Sequence, residues 1–511
     1  MQALQELVTI VTRAKLRQAE LSQAFEQQSS EVRRLYDLIA EGKINTEENL
    51  LAYLYPSGRK STRRTHIKIA LRDFLLYALL QIDLNLPHFH ARQIAWFDCY
   101  RKWAAAKLLL GRNAHLAAVD AAEDVLRQSL QFDFIDLAVE AARALRLYYG
   151  SIAGDLKKYE SYGQLVRKLD ELYRLENLSE ERYTDLVVHY VNSKATQVEV
   201  HQTAQQYYEE LKPALEEYDS YRLHFCGRLI ELIVYTSVND YATTITVCDS
   251  AISFFEQKSY LANIPLQAFI YQEMVCYVQL KDYSRGKNAA ARGLKLLEEG
   301  TFNWFKYQEL LLLLFLHAGE YQEAYEVFQK TIRHKRFKAL PGGIQQAWKI
   351  FEAYLYYLHE VGRISPEGSD PVFNRFRMAR FLNETPLFAR DKRGMNIPIL
   401  IFQILYLILV RRYDDTVDRI DALEKYASRY LKRDDTYRSN VMIKMLLLIP
   451  ASAFHRNAVA RHAEKYLKML KEVPLDFARQ SHDVEIIPYE ALWEMALASL
   501  DLNIYTRKKA G

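Results

Sequence analysis

The sequence from Val238 to Lys335 contains one local pattern three times, as NDYATTITVCDSA (239–251), KDYSRGKNAAARG (281–293) and GEYQEAYEVFQKT (319–331). Each copy begins with a short turn that ends in a tyrosine, and the three tyrosines lie 42 and 38 residues apart. Mostly small residues follow each tyrosine at offsets of three, seven and ten, which lie on one face of an α-helix. They are Thr244, Cys248 and Ala251, then Gly286, Ala290 and Gly293, then Ala324, Phe328 and Thr331. A period of this length predicts stacked helix pairs.

The third copy resembles the second-helix signature of the tetratricopeptide repeat, in which a Gly-Asp-Tyr turn precedes an alanine and then an aromatic residue. Ala324 and Phe328 occupy those two positions, whereas the first two copies have Thr244 and Gly286 in place of the alanine. The spacing exceeds the family's repeat of about 34 residues, so the resemblance is to tetratricopeptide-like repeats. It implies a protein or peptide bound on a concave surface, and no chemistry.

The composition extends the helical prediction to most of the chain. Of 511 residues, 50% are hydrophobic, while only 17 are Gly and 12 are Pro. Few helix breakers and abundant Leu, Ala, Glu, Lys and Arg favour helix. With the resemblance, this predicts an all-α fold, a right-handed α-α superhelix built as a solenoid of antiparallel helix pairs. The helices of the strongest repeats are predicted at 220–237, 240–257, 264–280, 282–299, 303–317 and 320–334.

Breaks in the helical pattern divide the chain into three predicted regions. Pro87 and the segment from Gly362 to Asp370 interrupt the helices. We therefore predict an N-terminal helical capping region with a basic loop, tetratricopeptide-like repeats, and C-terminal helical repeats with a tail. Their predicted bounds are 1–90, 91–361 and 371–511.

Two more signals lie upstream of the strongest repeats. The turn Phe132-Asp133-Phe134 places Phe134 where the later copies have tyrosine, which extends the repeat upstream. The residues at the three offsets from it are Leu137, Ala141 and Ala144. Ser179 is followed by two glutamates, a pattern typical of a helix N-terminus. It predicts that one helix ends near 175 and another begins at 179.

The chain is predicted to be cytoplasmic and to have no membrane span. Its four cysteines are scattered without paired spacing, which favours a reducing compartment. The longest apolar run, Ile397 to Val410, has 14 residues, and a bilayer-spanning helix needs about 20. We predict that this run forms a buried helix. Charged residues interrupt the apolar positions from Met1 to Phe25, so no signal peptide is expected there.

Two basic segments are the candidate binding sites. In the loop before residue 65, Arg59, Lys60, Arg63 and Arg64 could contact phosphate, although a solvated loop has the same composition. Near the end of the third repeat, Arg333-His334-Lys335-Arg336-Phe337-Lys338 places cations around one aromatic residue. These cations could hold an acidic peptide, or they could complement the carbonyl end of a helix. The predicted peptide-binding residues are Tyr271, Tyr307, Arg333, Lys335 and Arg336.

The sequence contains no motif that predicts catalysis. No Gly-rich phosphate loop, no Gly-x-Ser-x-Gly elbow and no His-Glu-x-x-His pair occurs. We therefore predict no catalytic residues, no metal and no cofactor. The function predicted is a non-enzymatic helical-repeat scaffold that binds a protein or peptide. The alternative is a ligand-sensing regulator that contacts nucleic acid through the basic N-terminal loop.

Overall fold

The structure is a computed structural model, and it describes residues 1–13, 29–44, 49–50, 63–81, 90–192, 197–365, 373, 376–384, 395–412, 423–426, 429, 437–473 and 484–501. Within these residues every regular element is a helix and no strand occurs. The all-α prediction is confirmed for this part of the chain.

The helices are numbered in chain order. The first ten are α1 Gln2–Arg13, α2 Ser30–Ala40, α3 Arg63–Leu79, α4 Ala91–Gly111, α5 His115–Gln131, α6 Ile135–Ser151, α7 Leu156–Asn192, α8 Gln197–Glu217, α9 Tyr221–Thr236 and α10 Tyr241–Glu256. The next ten are α11 Asn263–Gln279, α12 Tyr283–Lys295, α13 Phe302–Ala318, α14 Tyr321–Arg333, α15 Gly342–Glu360, α16 Met378–Glu384, α17 Asn396–Leu409, α18 Tyr437–Ala451, α19 Arg456–Glu472 and α20 Tyr489–Ser499. A 3-10 helix, Phe337–Ala339, lies between α14 and α15.

The chain forms two compact units, Met1–Tyr173 and Arg174–Gly511. In the first unit, each helix from α4 to α6 packs against its sequence neighbour. In the second unit, the same holds from α8 to α15, and α11 also contacts α13. The six helices predicted for the strongest repeats are all present, and the largest difference is that α12 ends four residues early.

The predicted repeats begin with tight turns of one geometry. In each turn one residue adopts the left-handed backbone conformation: φ is +60° at Asn239, +59° at Lys281 and +77° at Gly319. The next residue donates its N–H to the carbonyl five positions earlier, as Glu320 does to Phe315 at 3.0 Å. This is the Schellman motif, which closes one helix and sets the direction of the next.

The face predicted from these offsets is the buried face of each helix. The residues at offsets of three, seven and ten from each turn tyrosine are all buried in α10, α12 and α14. Gly293 shows why a small residue is needed there, because a Cβ at this position would lie 2.2 Å from Cε1 of Tyr307. Small residues at these offsets therefore allow neighbouring helices to approach closely.

A fourth turn shows that the repeat pattern near Phe134 was predicted one residue too early. Asp133 is the left-handed residue, with φ +55°, and Phe134 is the N-cap, so α6 begins at Ile135. The prediction aligned Phe134 with the turn tyrosines that begin the later helices, one residue too early, because aspartate serves both as an N-cap, as Asp240 does, and as a left-handed turn residue. The buried residues at the three offsets from Ile135 are Ala138, Ala142 and Leu145.

A fifth turn of the same kind was not predicted. Asn113 has φ +58°, and Ala114 donates its N–H to the carbonyl of Leu109 at 3.0 Å. Helix α5 then begins at His115, and the residues at the three offsets are again buried: Ala118, Ala122 and Val125. The pattern of turn and buried face therefore occurs in both units.

The predicted break at Ser179 is wrong, because α7 is one continuous helix. Ser179 is fully buried, and its hydroxyl donates to the carbonyl of Glu176 at 2.8 Å within the helix. The Glu176 carboxylate is also buried and accepts a hydrogen bond from Ser220 at 2.5 Å. The serine therefore bonds back to its own helix and does not cap a new one.

The hydrophobic cores follow the unit division. The first unit has one core within residues 4–78 and another within residues 95–169. The largest core of the second unit draws on residues from Leu312 to Leu500. Helix α17 contributes Phe402 at its centre with no exposed surface, so the prediction of a buried helix from the apolar run is confirmed. All four cysteines are free and buried.

No helix in the described parts of the chain combines the length and apolar character that crossing a bilayer requires.

His224 is a buried histidine between α9 and α10. It is 5% exposed, its Nε2–H donates to the carbonyl of Tyr218 at 2.9 Å, and its ring stacks on Phe254 with 3.8 Å between centroids. Burial lowers its pKa from 6.5 to about 4, against the smaller opposing effect of the Tyr218 carbonyl. The folded protein therefore holds this ring neutral where an unfolded chain would protonate it.

We expect the His224→Phe variant to be less sensitive to acid than the parent. Between about pH 6.5 and pH 4 this histidine is protonated in the unfolded chain but neutral in the folded protein. The free energy of unfolding therefore decreases as pH falls, and His224 contributes about 3 kcal/mol at most to that decrease. Urea unfolding at neutral pH and near pH 4.5 would measure the difference, with the exposed His455→Phe as the control. An equal acid sensitivity in all three proteins would contradict this assignment.

Candidate functional site

The two predicted peptide-binding tyrosines lie next to each other in the second unit. The rings of Tyr271 on α11 and Tyr307 on α13 meet edge to face, 5.4 Å apart. Tyr307 is only 2% exposed, and its hydroxyl donates to the carbonyl of Gln267. Burial raises its pKa. In this arrangement Tyr307 packs inside the repeat and offers no surface to a partner, whereas Tyr271 is half-buried. The binding role of Tyr271 stays a prediction.

The predicted basic segment is anchored to the repeat by its two rings. The His334 ring lies 5.4 Å from Trp304, against Gly300, where φ is +78° and a Cβ would come within 2.1 Å of the imidazole. Phe337 packs against Trp348 with 5.9 Å between centroids. The aromatic residue that the sequence placed among the cations therefore faces the core.

The cations of this segment point to the surface. Arg333, Lys335 and Lys338 are exposed, and among the described residues none of them forms an ion pair. Arg336 is paired with Glu298 at 3.4 Å. We call Arg333, Lys335, Arg336 and Lys338 the basic rim. The anchoring rings fix the backbone that carries these cations, which suits recognition of an acidic group.

The other predicted basic segment is described only at its end. Arg59 and Lys60 lie outside the described residues, and Arg63 and Arg64 form the first turn of α3. Their possible contact with phosphate stays a prediction.

The second unit also contains a polar cleft that was not predicted. It has a volume of about 500 Å³. Two of the tight turns and the N-terminal half of α20 form its walls, together with the end of α19. The lining residues are Lys281, Tyr283, His317, Ala318, Gly319, Tyr321, Lys471, Pro488, Glu490, Ala491 and Glu494.

A buried ion-pair network supports one wall of this polar cleft. Arg438 is fully buried, and all five of its N–H groups have acceptors. Two bind the Glu485 carboxylate, at 2.9 and 2.7 Å, and one binds Glu490 at 2.8 Å. The remaining two bind the carbonyls of Leu470 and Val473, both at 2.8 Å. The guanidinium therefore fixes the position of the Glu490 carboxylate at the cleft.

His317 connects this network to the repeat. It is 6% exposed, and its Nε2–H donates to the carbonyl of Glu485 at 2.7 Å. Because His317 lies in the last turn of α13, this bond ties the tight turn at Gly319 to the segment before α20. The walls of the polar cleft are held together by buried contacts.

The tyrosines of the polar cleft remain protonated at neutral pH. Burial, followed by the charges of Glu485 and Glu490, raises the pKa of Tyr283 to about 12. Burial also raises the pKa of Tyr321; the Arg363 charge lowers it, and the Glu494 charge adds to the increase. A protonated tyrosine hydroxyl can donate a hydrogen bond to a ligand and accept one from it.

One side of this cleft could have been predicted from the sequence. Tyr283 and Tyr321 are the turn tyrosines of two successive repeats, and equivalent turns of stacked pairs lie side by side. The opposite wall could not be inferred, because Glu490 lies more than 160 residues further along the chain. Among the described residues, no three His, Cys, Asp or Glu side chains are placed to bind a metal ion.

No protein-family model, no curated protein and no solved structure matches this chain at a significant level.

Proposed function

We propose that the protein is a non-enzymatic, cytoplasmic helical-repeat scaffold that binds a segment of a partner protein through its basic rim. The repeats would stack as antiparallel pairs into a tetratricopeptide-like, right-handed superhelix. Support for this arrangement comes from the recurring Schellman turns and from the small buried residues that follow each of them. A stack of this kind presents extended surfaces to partners.

The observation that carries the proposal is the anchoring of the basic rim. Lysine and arginine side chains on a loose loop lose conformational entropy when they bind a partner. Here His334 and Phe337 fix the backbone between the exposed cations Arg333, Lys335 and Lys338, which lowers that cost. An acidic peptide segment is the partner chemistry that this surface fits.

We expect the double variant Arg333→Ala with Lys335→Ala to bind acidic peptides more weakly than the parent. Exposed ion pairs contribute about 0.2–1 kcal/mol each, so the loss should be about 2- to 30-fold and should shrink as salt is added. Acidic peptides selected from a displayed random library against the full chain would be synthesised and measured by fluorescence anisotropy.

The matched control removes the same charge elsewhere in the second unit, by Lys444→Ala with Arg461→Ala, both of which are exposed. The control should bind like the parent. If the library returns no acidic peptides, or if both double variants bind them equally, the basic rim is not the binding surface.

The nucleic acid alternative has its own measurement. Duplex DNA would be titrated at low and high salt with the parent and with the double variant Arg63→Ala with Arg64→Ala. Steep salt dependence that the variant loses would favour the alternative over the scaffold.

A further inference from the structure

The polar cleft contains charges of both signs that do not neutralise each other. Lys281, Lys471 and Glu494 all line it and are all exposed, yet among the described residues none of the three has an ion-pair partner. Side chains that converge on one concavity without pairing remain available to a ligand.

The wall formed by α20 is acidic. Glu490 and Glu494 are four residues apart and so share one face of the helix. Ala491, which also lines the cleft, adds almost no volume between them. Glu490 is held by Arg438, but that guanidinium also binds Glu485, so two carboxylates share one cation. The Arg438 network therefore keeps one net negative charge, and Glu494 adds a second at this wall.

Tyr283 and Tyr321 line the same cleft as these carboxylates. The acidic side chains act electrostatically on both turn tyrosines, Glu490 on Tyr283 and Glu494 on Tyr321. A cation next to an aromatic ring and a carboxylate gains both a cation–π attraction and a charge-assisted hydrogen bond. An ammonium or guanidinium on an apolar side chain has the chemistry that matches this wall.

The lysines of the polar cleft indicate that its ligand also carries a negative charge. Lys281 and Lys471 would repel a free cation, but they would attract a carboxylate beside it. We propose that the polar cleft binds a peptide segment in which a lysine or arginine lies next to an acidic group. The basic side chain enters between Tyr283, Tyr321, Glu490 and Glu494, and the carboxylate pairs with Lys281 or Lys471. The volume of about 500 Å³ lies within the range typical of binding pockets.

This site is separate from the basic rim, so either proposal can fail without the other. The probe is again a displayed library of random peptides, selected against the full chain. We expect a second class of peptides that contains arginine or lysine beside aspartate, glutamate or a free C-terminus. In a synthetic member, replacing arginine by the isosteric neutral citrulline should weaken binding about tenfold.

Two variants test the location. Ala491→Trp should fill the cleft, and Glu494→Lys should reverse the charge at an exposed position where folding is not at risk. Both should remove binding of the basic class and leave the acidic class unchanged. The control is Glu256→Lys, an exposed glutamate on α10 outside the cleft, which should bind both classes.

Three outcomes would overturn the assignment. The library could return no basic class, the basic class could bind both cleft variants as tightly as the parent, or the same peptides could be lost only when Arg333 and Lys335 are replaced. The last result would assign them to the basic rim.

Discussion

The Arg438→Met variant is expected to be less stable than the parent by about 3–5 kcal/mol, because removing one partner of a buried ion pair leaves the other charge uncompensated. Arg438 and Glu485 both have side chains that are 1% exposed. Burial disfavours the charged guanidinium, but the Glu485 and Glu490 carboxylates outweigh it and raise the pKa of Arg438. The methionine would also leave the carbonyls of Leu470 and Val473 without their donors. Urea unfolding followed by circular dichroism measures the loss.

A second substitution separates the charge effect from simple loss of packing. Adding Glu485→Gln to Arg438→Met should restore part of the stability, since neither position of the buried pair then carries a charge and the amide oxygen can still accept the N–H of Tyr489. Arg456→Met is the control, because its pair with Asp501 is more than half exposed and should contribute about 0–1 kcal/mol. A double variant no more stable than Arg438→Met would show that the charge is not the cause.

Local sequence signals predicted the repeats well because the determinants lie within a few residues of each other. A turn residue such as Gly319, an N-cap such as Asp240 and small residues at fixed offsets act inside one helix and its neighbour. The same reasoning failed where one residue type has two uses. Asp133 takes the left-handed position and not the cap, and Ser179 bonds back to its own helix, so both helix starts were misplaced.

Of the two candidate sites, the sequence predicted the basic rim but not the polar cleft. The basic rim was visible because its cations are adjacent in sequence, although its anchoring depends on Gly300 and Trp348, which only the fold brings to it. The polar cleft joins turns near 281 and 319 to a helix that begins at 489. Such a pairing depends on how distant helices pack, which periodicity within one segment does not specify. Tyr307 is the opposite case. It was predicted to contact a peptide, but it is only 2% exposed and packs within the repeat.

The Trp348→Ala variant is expected to show the second large loss of stability. It also tests whether the core supports the basic rim. Trp348 is 1% exposed and packs between Phe328, Phe337 and Phe351, with ring centroids 5.7–6.0 Å apart. Its indole nitrogen makes no hydrogen bond among the described residues, so the loss is one of packing and cavity formation, about 3–5 kcal/mol. Urea unfolding by circular dichroism would measure it, with Phe302→Ala, which is 53% exposed, as the control.

The same variant should also weaken the basic rim without touching its charges. Phe337 loses the partner that holds it, so the backbone between Lys335 and Lys338 should exchange amide hydrogen faster, and acidic peptides should bind less tightly. Trp348→Phe keeps an aromatic contact and should lie between the parent and the alanine variant in stability, exchange and binding. If Trp348→Ala were strongly destabilised while exchange at residues 335–338 and peptide binding stayed at the parent level, Phe337 would not be what holds the cations in place.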